Sequence, residues 1–263
     1  MRAFCAVLSF LFGTVFASFA GVLAYRCPKR ISIIKPNSYC PACNKPIAHR
    51  DNIPILSYLL LRGRCRHCDA KIGFSSFLSE AFGGVGFLSV YLMYGSGLEQ
   101  LFELIVLWCL LFLFLVMAAI DLESHDVYNN TLVIFAVLAL LLTGYRIAFH
   151  HFNVWNHLAG TVLGFAFFLS VALIGKLLLK RDALGSGDIY IAGIGGLLLG
   201  TIPLLLSIFL STFLGSVIEL CKIKCRKAES GQEIAFAPYL LFGIGVFAIF
   251  GEAIVDFFWR VVL

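Results

Sequence analysis

The feature that most limits this chain is a succession of apolar runs, most of them about 18 residues or longer and nearly free of charge. Runs of that length match the hydrocarbon thickness of a bilayer and read as membrane spans rather than as strands or short core helices. They fall at about 3–24, 76–97, 101–120, 130–149, 157–178, 188–200, 204–221 and 239–261. The sixth is short and glycine-rich, and the Gly200–Pro203 break separates it from the seventh. Eight spans are expected, or seven if 188–221 forms one bent helix. Composition agrees: 60% of the 263 residues are hydrophobic and only 13% are charged. That is about half the charged share of a soluble domain, which excludes an aqueous surface all round. The first run sits where a signal peptide would, but it lacks a clean small-residue cleavage site. Arg26, Lys29 and Arg30 follow it directly, as in an uncleaved anchor. The expected fold is an all-α polytopic membrane protein, with a first span over 1–25, a polar insert over 26–75 and a membrane core over 76–263.

Charge gives the orientation. With the N-terminus outside and eight spans threaded, the inside loops collect 17 of the 20 Lys and Arg residues. Ten lie between Arg26 and Lys71; the others are Lys176, Lys180, Arg181, Lys222, Lys224, Arg226 and Lys227. Only Arg2, Arg146 and Arg260 fall outside. By the positive-inside rule the insert faces the cytoplasm. A basic loop in such a chain is a topology signal, so membrane lipid and no nucleic acid is the expected environment.

Nine cysteines are present, and four of them form a pattern. Cys40-Pro-Ala-Cys43 and Cys65-Arg-His-Cys68 are two C-x2-C pairs in the polar insert. Each pair can set two thiolates on one side of a tight turn, and two turns complete a tetrahedral shell suited to zinc. Redox-active or disulfide-bonded cysteines are the alternative, disfavoured by a reducing cytoplasm. Four thiolates leave no open coordination position, so the zinc would be structural. It would supply folding energy that an insert of about 50 residues otherwise lacks. Cys5 and Cys109 lie within apolar runs as small fillers. Cys27, Cys221 and Cys225 suggest no role.

The acidic residues are few. Asp121 closes the third run, and Asp188, in Gly185-Ser-Gly187-Asp188, opens the sixth. In the topology above both stand at cytoplasmic ends of spans, at similar depth. A carboxyl group there needs water or a partner. Two that converge share one proton, and such a pair can activate water and polarise a peptide carbonyl. Gly185 and Gly187 let backbones approach closely, and the helix N-terminus favours the ionised form of Asp188. The plainer alternatives are that Asp188 is an N-cap and that Asp121 marks where a span ends. Glu123 and Asp126 in the following loop read as solvent-facing.

Together these residues resemble the type IV prepilin peptidases, intramembrane aspartyl proteases of the G-x-G-D class. The resemblance runs along nearly the whole chain. It is carried by Asn52-Ile-Pro-Ile-Leu-Ser-Tyr58 with Leu61-Arg-Gly-Arg-Cys65-Arg-His-Cys68, by Ile120-Asp121 with Asn129, and by Gly185-Ser-Gly187-Asp188. Glu229-Ser-Gly231 and Ile234-Ala-Phe236-Ala-Pro238-Tyr239 resemble the family's late loop. The resemblance implies substrates that are prepilins or pseudopilins, cut on the cytoplasmic side of the bacterial inner membrane after a leader glycine. It places Asp121 and Asp188 as the catalytic pair, and 76–263 as the peptidase core. Many members also methylate the new N-terminus with S-adenosylmethionine, through the N-terminal part of the chain, where Glu80 matches a family glutamate. Two departures stand out. Tyr128 replaces a usual proline, and the first span reads Ala17-Ser-Phe19-Ala-Gly21-Val where the family has Gly-Ser-Phe-x-Asn-Val. No glycine-rich nucleotide fingerprint follows a strand anywhere.

Two other classes compete. A proton- or cation-coupled carrier would use the same acids as a relay, although its charges usually lie mid-span and its halves repeat. A non-enzymatic assembly factor would use the zinc insert for docking.

Overall fold

The computed structural model describes residues 2–35, 37–95, 97–150, 152–179, 184–225 and 235–262. Lys180, Arg181, Arg226, Lys227, Glu229-Ser-Gly231 and Ile234 lie outside the described residues. Every apolar run becomes a helix. In chain order the helices are α1 (Arg2–Arg26), α2 (Leu56–Leu60), α3 (Phe74–Tyr94), α4 (Leu101–Ser124), α5 (Asn129–His150), α6 (Val154–Leu179), α7 (Ser186–Leu199), α8 (Thr201–Lys224) and α9 (Ala237–Val262). Among the described residues there is no strand, only the isolated bridges Tyr39–Pro46 and Arg64–Lys71 in the insert.

Seven of these helices are long and apolar enough to cross a membrane. The eighth apolar helix, α7, has 14 residues. At 1.5 Å per residue it reaches about 21 Å, short of the ~30 Å hydrocarbon core. Residues 188–221 are therefore two helices. Gly200 between them has φ 79 and ψ −173, a conformation open to glycine alone. Pro203 falls in the first turn of α8, where its missing N–H breaks no helical bond.

The chain folds as two compact units, Met1–Ser124 and His125–Leu263. In the first, α1, α3 and α4 pack on one another through aromatic rings. Phe87 stacks on Phe16 at 5.7 Å and on Trp108 at 5.5 Å, and the Trp108 indole donates to the Phe87 carbonyl at 3.1 Å. Toward the insert, Ala20 and Ala24 of α1 close on Val116 and Ile120 of α4 in a small buried core.

In the second unit α7 is the central helix, in contact with α5, α6, α8 and α9. Neighbours on that many sides explain why it is apolar all round and why eight of its residues are buried. The α6–α7 crossing is backbone against backbone: a Cβ added at Gly160 would stand 2.7 Å from the Gly196 carbonyl oxygen. The last carbonyls of a helix buried among others need partners that water does not supply. Here the Leu197 carbonyl accepts from the Thr143 hydroxyl at 3.0 Å and is paired with His157 Nδ1 at 2.8 Å. The Gly196 carbonyl takes the Gly200 N–H.

Candidate active site and metal centre

The four insert cysteines come together. Their sulfurs lie within 4.8 Å of one another, and Cys40 Sγ is 3.8 Å from Cys68 Sγ. Four sulfurs at ~2.3 Å around a tetrahedral ion stand about 3.8 Å apart, whereas a disulfide needs about 2.05 Å. All four are free thiols, so the arrangement suits an ion such as zinc and not a pair of disulfides.

The two turns share one internal pattern. The Cys40 N–H donates to the Lys45 carbonyl and the Cys65 N–H to the Ala70 carbonyl, while Asn44 and Asp69 return N–H bonds to Cys40 and Cys65. Asn44 and Asp69 take positive φ values of 55 and 59, which their short polar side chains tolerate. Without an ion the thiols are unequal. The N–H groups of Cys43 and Ala42 pull Cys40 down to about 7. Cys68 is drawn down by the Ala70 N–H, but burial and its bonds with the other three thiols push it up to about 12. Four thiolates at this spacing need a cation between them. Asp51 and Arg66 brace the second turn with a bidentate pair at 2.7 and 2.8 Å, and the guanidinium holds the Asp51 carboxyl below its ordinary range.

Glu80 of α3 is buried, and its Oε2 accepts the Ile55 N–H at 2.7 Å. Ile55 has φ 63 and ψ −54, and the Leu56 N–H reaches back to the Pro54 carbonyl at 2.6 Å. That is a γ-turn of the strained hand, on a β-branched residue that almost never adopts it. The Ser57 hydroxyl accepts from the Ile53 N–H at 2.8 Å and donates to the Arg50 carbonyl at 3.2 Å. The sequence marks this segment as a family motif but shows neither the strain nor its tie to Glu80. The proline within Ile53-Pro54-Ile55 was the one local hint of a sharp turn.

Asp121 is 6% exposed and lies in the last turn of α4, which runs on to Ser124 instead of stopping at the aspartate. Asp188 is 7% exposed and is the third residue of α7. The helix cap is Gly185, so Asp188 is not the N-cap residue of the plainer alternative. Gly187 has a packing reason to be glycine: a Cβ there would fall 2.6 Å from that of Val127. Glu123, His125 and Asp126 are exposed, as expected, although Glu123 lies in the last turn of α4 and not in the loop.

Fold and site together define a multi-pass helical membrane protein with a four-thiol insert and a buried carboxylate in a terminal turn of each of two helices. The model of the bacterial peptidase A24 N-terminal domain matches residues 11–94, and that of the type IV leader peptidase family matches residues 105–220. The prepilin leader peptidase/N-methyltransferase of Pseudomonas aeruginosa is 30% identical, over 93% of this chain and 90% of its own. Its namesake in Stutzerimonas stutzeri is 33% identical over 85% of this chain and 75% of its own. The one in Bacillus subtilis is 28% identical over 97% of this chain and 98% of its own. No solved structure matches. The chain belongs to the type IV prepilin leader peptidase family, an assignment that does not favour the carrier.

Proposed function

We propose that this enzyme removes the leader of prepilins or pseudopilins at the cytoplasmic face of the bacterial inner membrane, using Asp121 and Asp188 as one catalytic pair. The observation that carries it is the burial of both carboxylates in helix-terminal turns, in a chain of this family. Connectivity adds support: Val127, against which Gly187 packs, is six residues beyond Asp121 in the chain. The charge split of the loops supports the cytoplasmic side.

Asp188, in the first turn of α7 where free N–H groups favour negative charge, takes a proton from water. Asp121 hydrogen-bonds the scissile carbonyl and gives its proton as the oxygen becomes negative. The tetrahedral gem-diol then collapses: one of its hydroxyls returns a proton to Asp121, the C–N bond breaks, and the leaving nitrogen takes the proton held by Asp188. The products are a leader carboxylate and a mature chain with a free α-amine.

Cys40, Cys43, Cys65 and Cys68 would hold a structural zinc that organises the insert. The methyltransferase in the relatives' names supports a second activity on the new amine, with S-adenosylmethionine supplying a methyl group from its sulfonium as the amine gives up a proton.

The test is cleavage of a purified prepilin by zinc-loaded enzyme in detergent, with the new N-terminus sequenced. Release of the leader after its glycine by wild type, and loss of release in Asp188→Asn of unchanged zinc content, is the expected result. An intact prepilin with wild-type enzyme would overturn it.

A further inference from the structure

The carbonyl end of α7 holds a cluster of buried polar side chains that the chemistry of peptide hydrolysis leaves without a role. Thr143 of α5 and His157 of α6 both meet one backbone oxygen, that of Leu197, at 3.0 and 2.8 Å. A carbonyl oxygen only accepts, so Nδ1 of His157 carries the ring hydrogen. Buried Arg146 packs with His157 on the Phe152 ring, its guanidinium carbon 6.0 Å and the imidazole 5.9 Å from the ring centre. Asn156, the residue before His157, accepts from the Thr201 N–H at 3.2 Å and pairs with the Thr201 hydroxyl at 2.6 Å. The break at Gly200 is therefore held from α6 on both sides. One donor satisfies a buried carbonyl, as the Gly200 N–H does for Gly196. Two donors from different helices do more: they fix the Leu197 oxygen in space.

We infer that Thr143 and His157 are positioning residues for the proteolytic step, which set the height of α7 and with it the place of the Asp188 carboxylate. The inference rests on the reading of Asp188 as catalytic. The sides of α7 explain why such a clamp is needed. Side-chain ridges seated in grooves are what set the register of one helix on another. The seam with α6 has none at two points, Gly160 against Gly196 and Gly164 against Ala192, where backbone meets backbone. Three side chains that press on α7, Val127, Phe165 and Ile244, each meet a glycine, at Gly187, Gly193 and Gly195. They bear on a surface without a ridge, which resists tilting more than sliding. Directional hydrogen bonds at one end supply the axial stop. Asp188 and Leu197 are nine residues apart on one unbroken helix, about 13.5 Å at 1.5 Å per residue. A slip at the carbonyl end therefore reaches the carboxylate, and a misplacement of about 1 Å can cost roughly 10²-fold in rate. Every residue of this device lies within the unit His125–Leu263.

The experiment is cleavage of a purified prepilin by the zinc-loaded full chain in detergent, with kcat and KM determined separately. Thr143→Val keeps the side chain's shape and His157→Phe keeps a ring, and each removes the donor to Leu197. Either one should lower kcat by roughly threefold to tenfold, and the two together by roughly tenfold to a hundredfold, with KM within about twofold of wild type. Thr143→Ser keeps the hydroxyl, and His157→Asn offers an amide N–H close to where Nδ1 stood; both should restore most of the rate. A second readout needs no catalysis. The thiol in Asp188→Cys, alkylated and followed by peptide mass spectrometry, should react at a different rate once His157→Phe is added. Full kcat in a folded double variant overturns the positioning role, and so does a loss that Thr143→Ser and His157→Asn share. If the double variant does not fold, the two single variants decide by the same criteria. Full cleavage by Asp188→Asn overturns the catalytic reading beneath the proposal. An inactive Asp188→Asn beside a fully active donor-less chain overturns the positioning role alone.

Discussion

Asp121 and Asp188 are buried to nearly the same degree and are held by opposite means. Asp121 rides at the carbonyl end of a 24-residue helix dense in Leu, Val and Phe. Its neighbour Ile120 interlocks with Val116, Ala20 and Ala24, so bulk filling a gap holds that helix end. Asp188 rides at the amino end of a 14-residue helix whose neighbours press in where it lacks side chains, the Val127 side chain at Gly187 and the Gly160 backbone at Gly196. There the absence of side chains holds the helix. One carboxylate is thus sensitive to lost volume and the other to added volume.

The largest expected effect treats the two alike. Asp121→Asn and Asp188→Asn should each lower leader cleavage by roughly 10²–10⁴-fold or more, measured as initial rate on a purified prepilin. A full rate in either variant would reduce that carboxylate to a helix-end residue. Ile120→Ala, which opens a cavity beside Asp121, should lower stability by about 2–5 kcal/mol, read from thermal unfolding in detergent. Gly160→Ala, which crowds the α6–α7 crossing, should lower it by about 1–3 kcal/mol. The sharper form exchanges the sites: a residue added at Ile120's neighbour Ala119, packed at the edge of its core and not between backbones, should be tolerated better than Gly160→Ala.

Much of this contrast was legible beforehand and some was not. Apolar runs located α4 and α7 to within a few residues, because a bilayer demands length and hydrophobicity whatever the packing. The C-x2-C spacing likewise announced the thiol cluster, since four ligands in two turns have little geometric freedom. The Gly200 break was legible from a glycine and a nearby proline. What stayed hidden depends on partners distant in sequence. Nothing in Leu197 reveals that its carbonyl is met by Thr143 and His157 from two other helices. Glu80 was legible only as a residue of interest, because its partner is the N–H of Ile55, 25 positions away. Arg26 read as a topology charge, and only the fold ties its guanidinium to Ser32 and Ile33.

A third carboxylate supplies a control of smaller effect. Asp51 lies outside the membrane and is held by Arg66 below its ordinary range. Its stabilising contribution is present above the ordinary carboxylate value and is lost as the pH falls through the lowered one. Asp51→Asn should therefore flatten the acid side of the insert's stability profile and leave its neutral-pH zinc content unchanged, followed by limited proteolysis across pH. An unaltered acid profile would show that packing, not the ion pair, braces the second cysteine turn.

The proposed mechanism requires Asp121 and Asp188 to act as one pair. The most direct test is an Asp121→Cys/Asp188→Cys chain, zinc-loaded in detergent and treated with bifunctional thiol reagents of graded length. Recovery of a peptide joined at 121 and 188 by the shortest reagent, absent from either single variant, is expected. Failure to join them even with a reagent spanning a helix diameter of about 10 Å, in a folded chain, would contradict it.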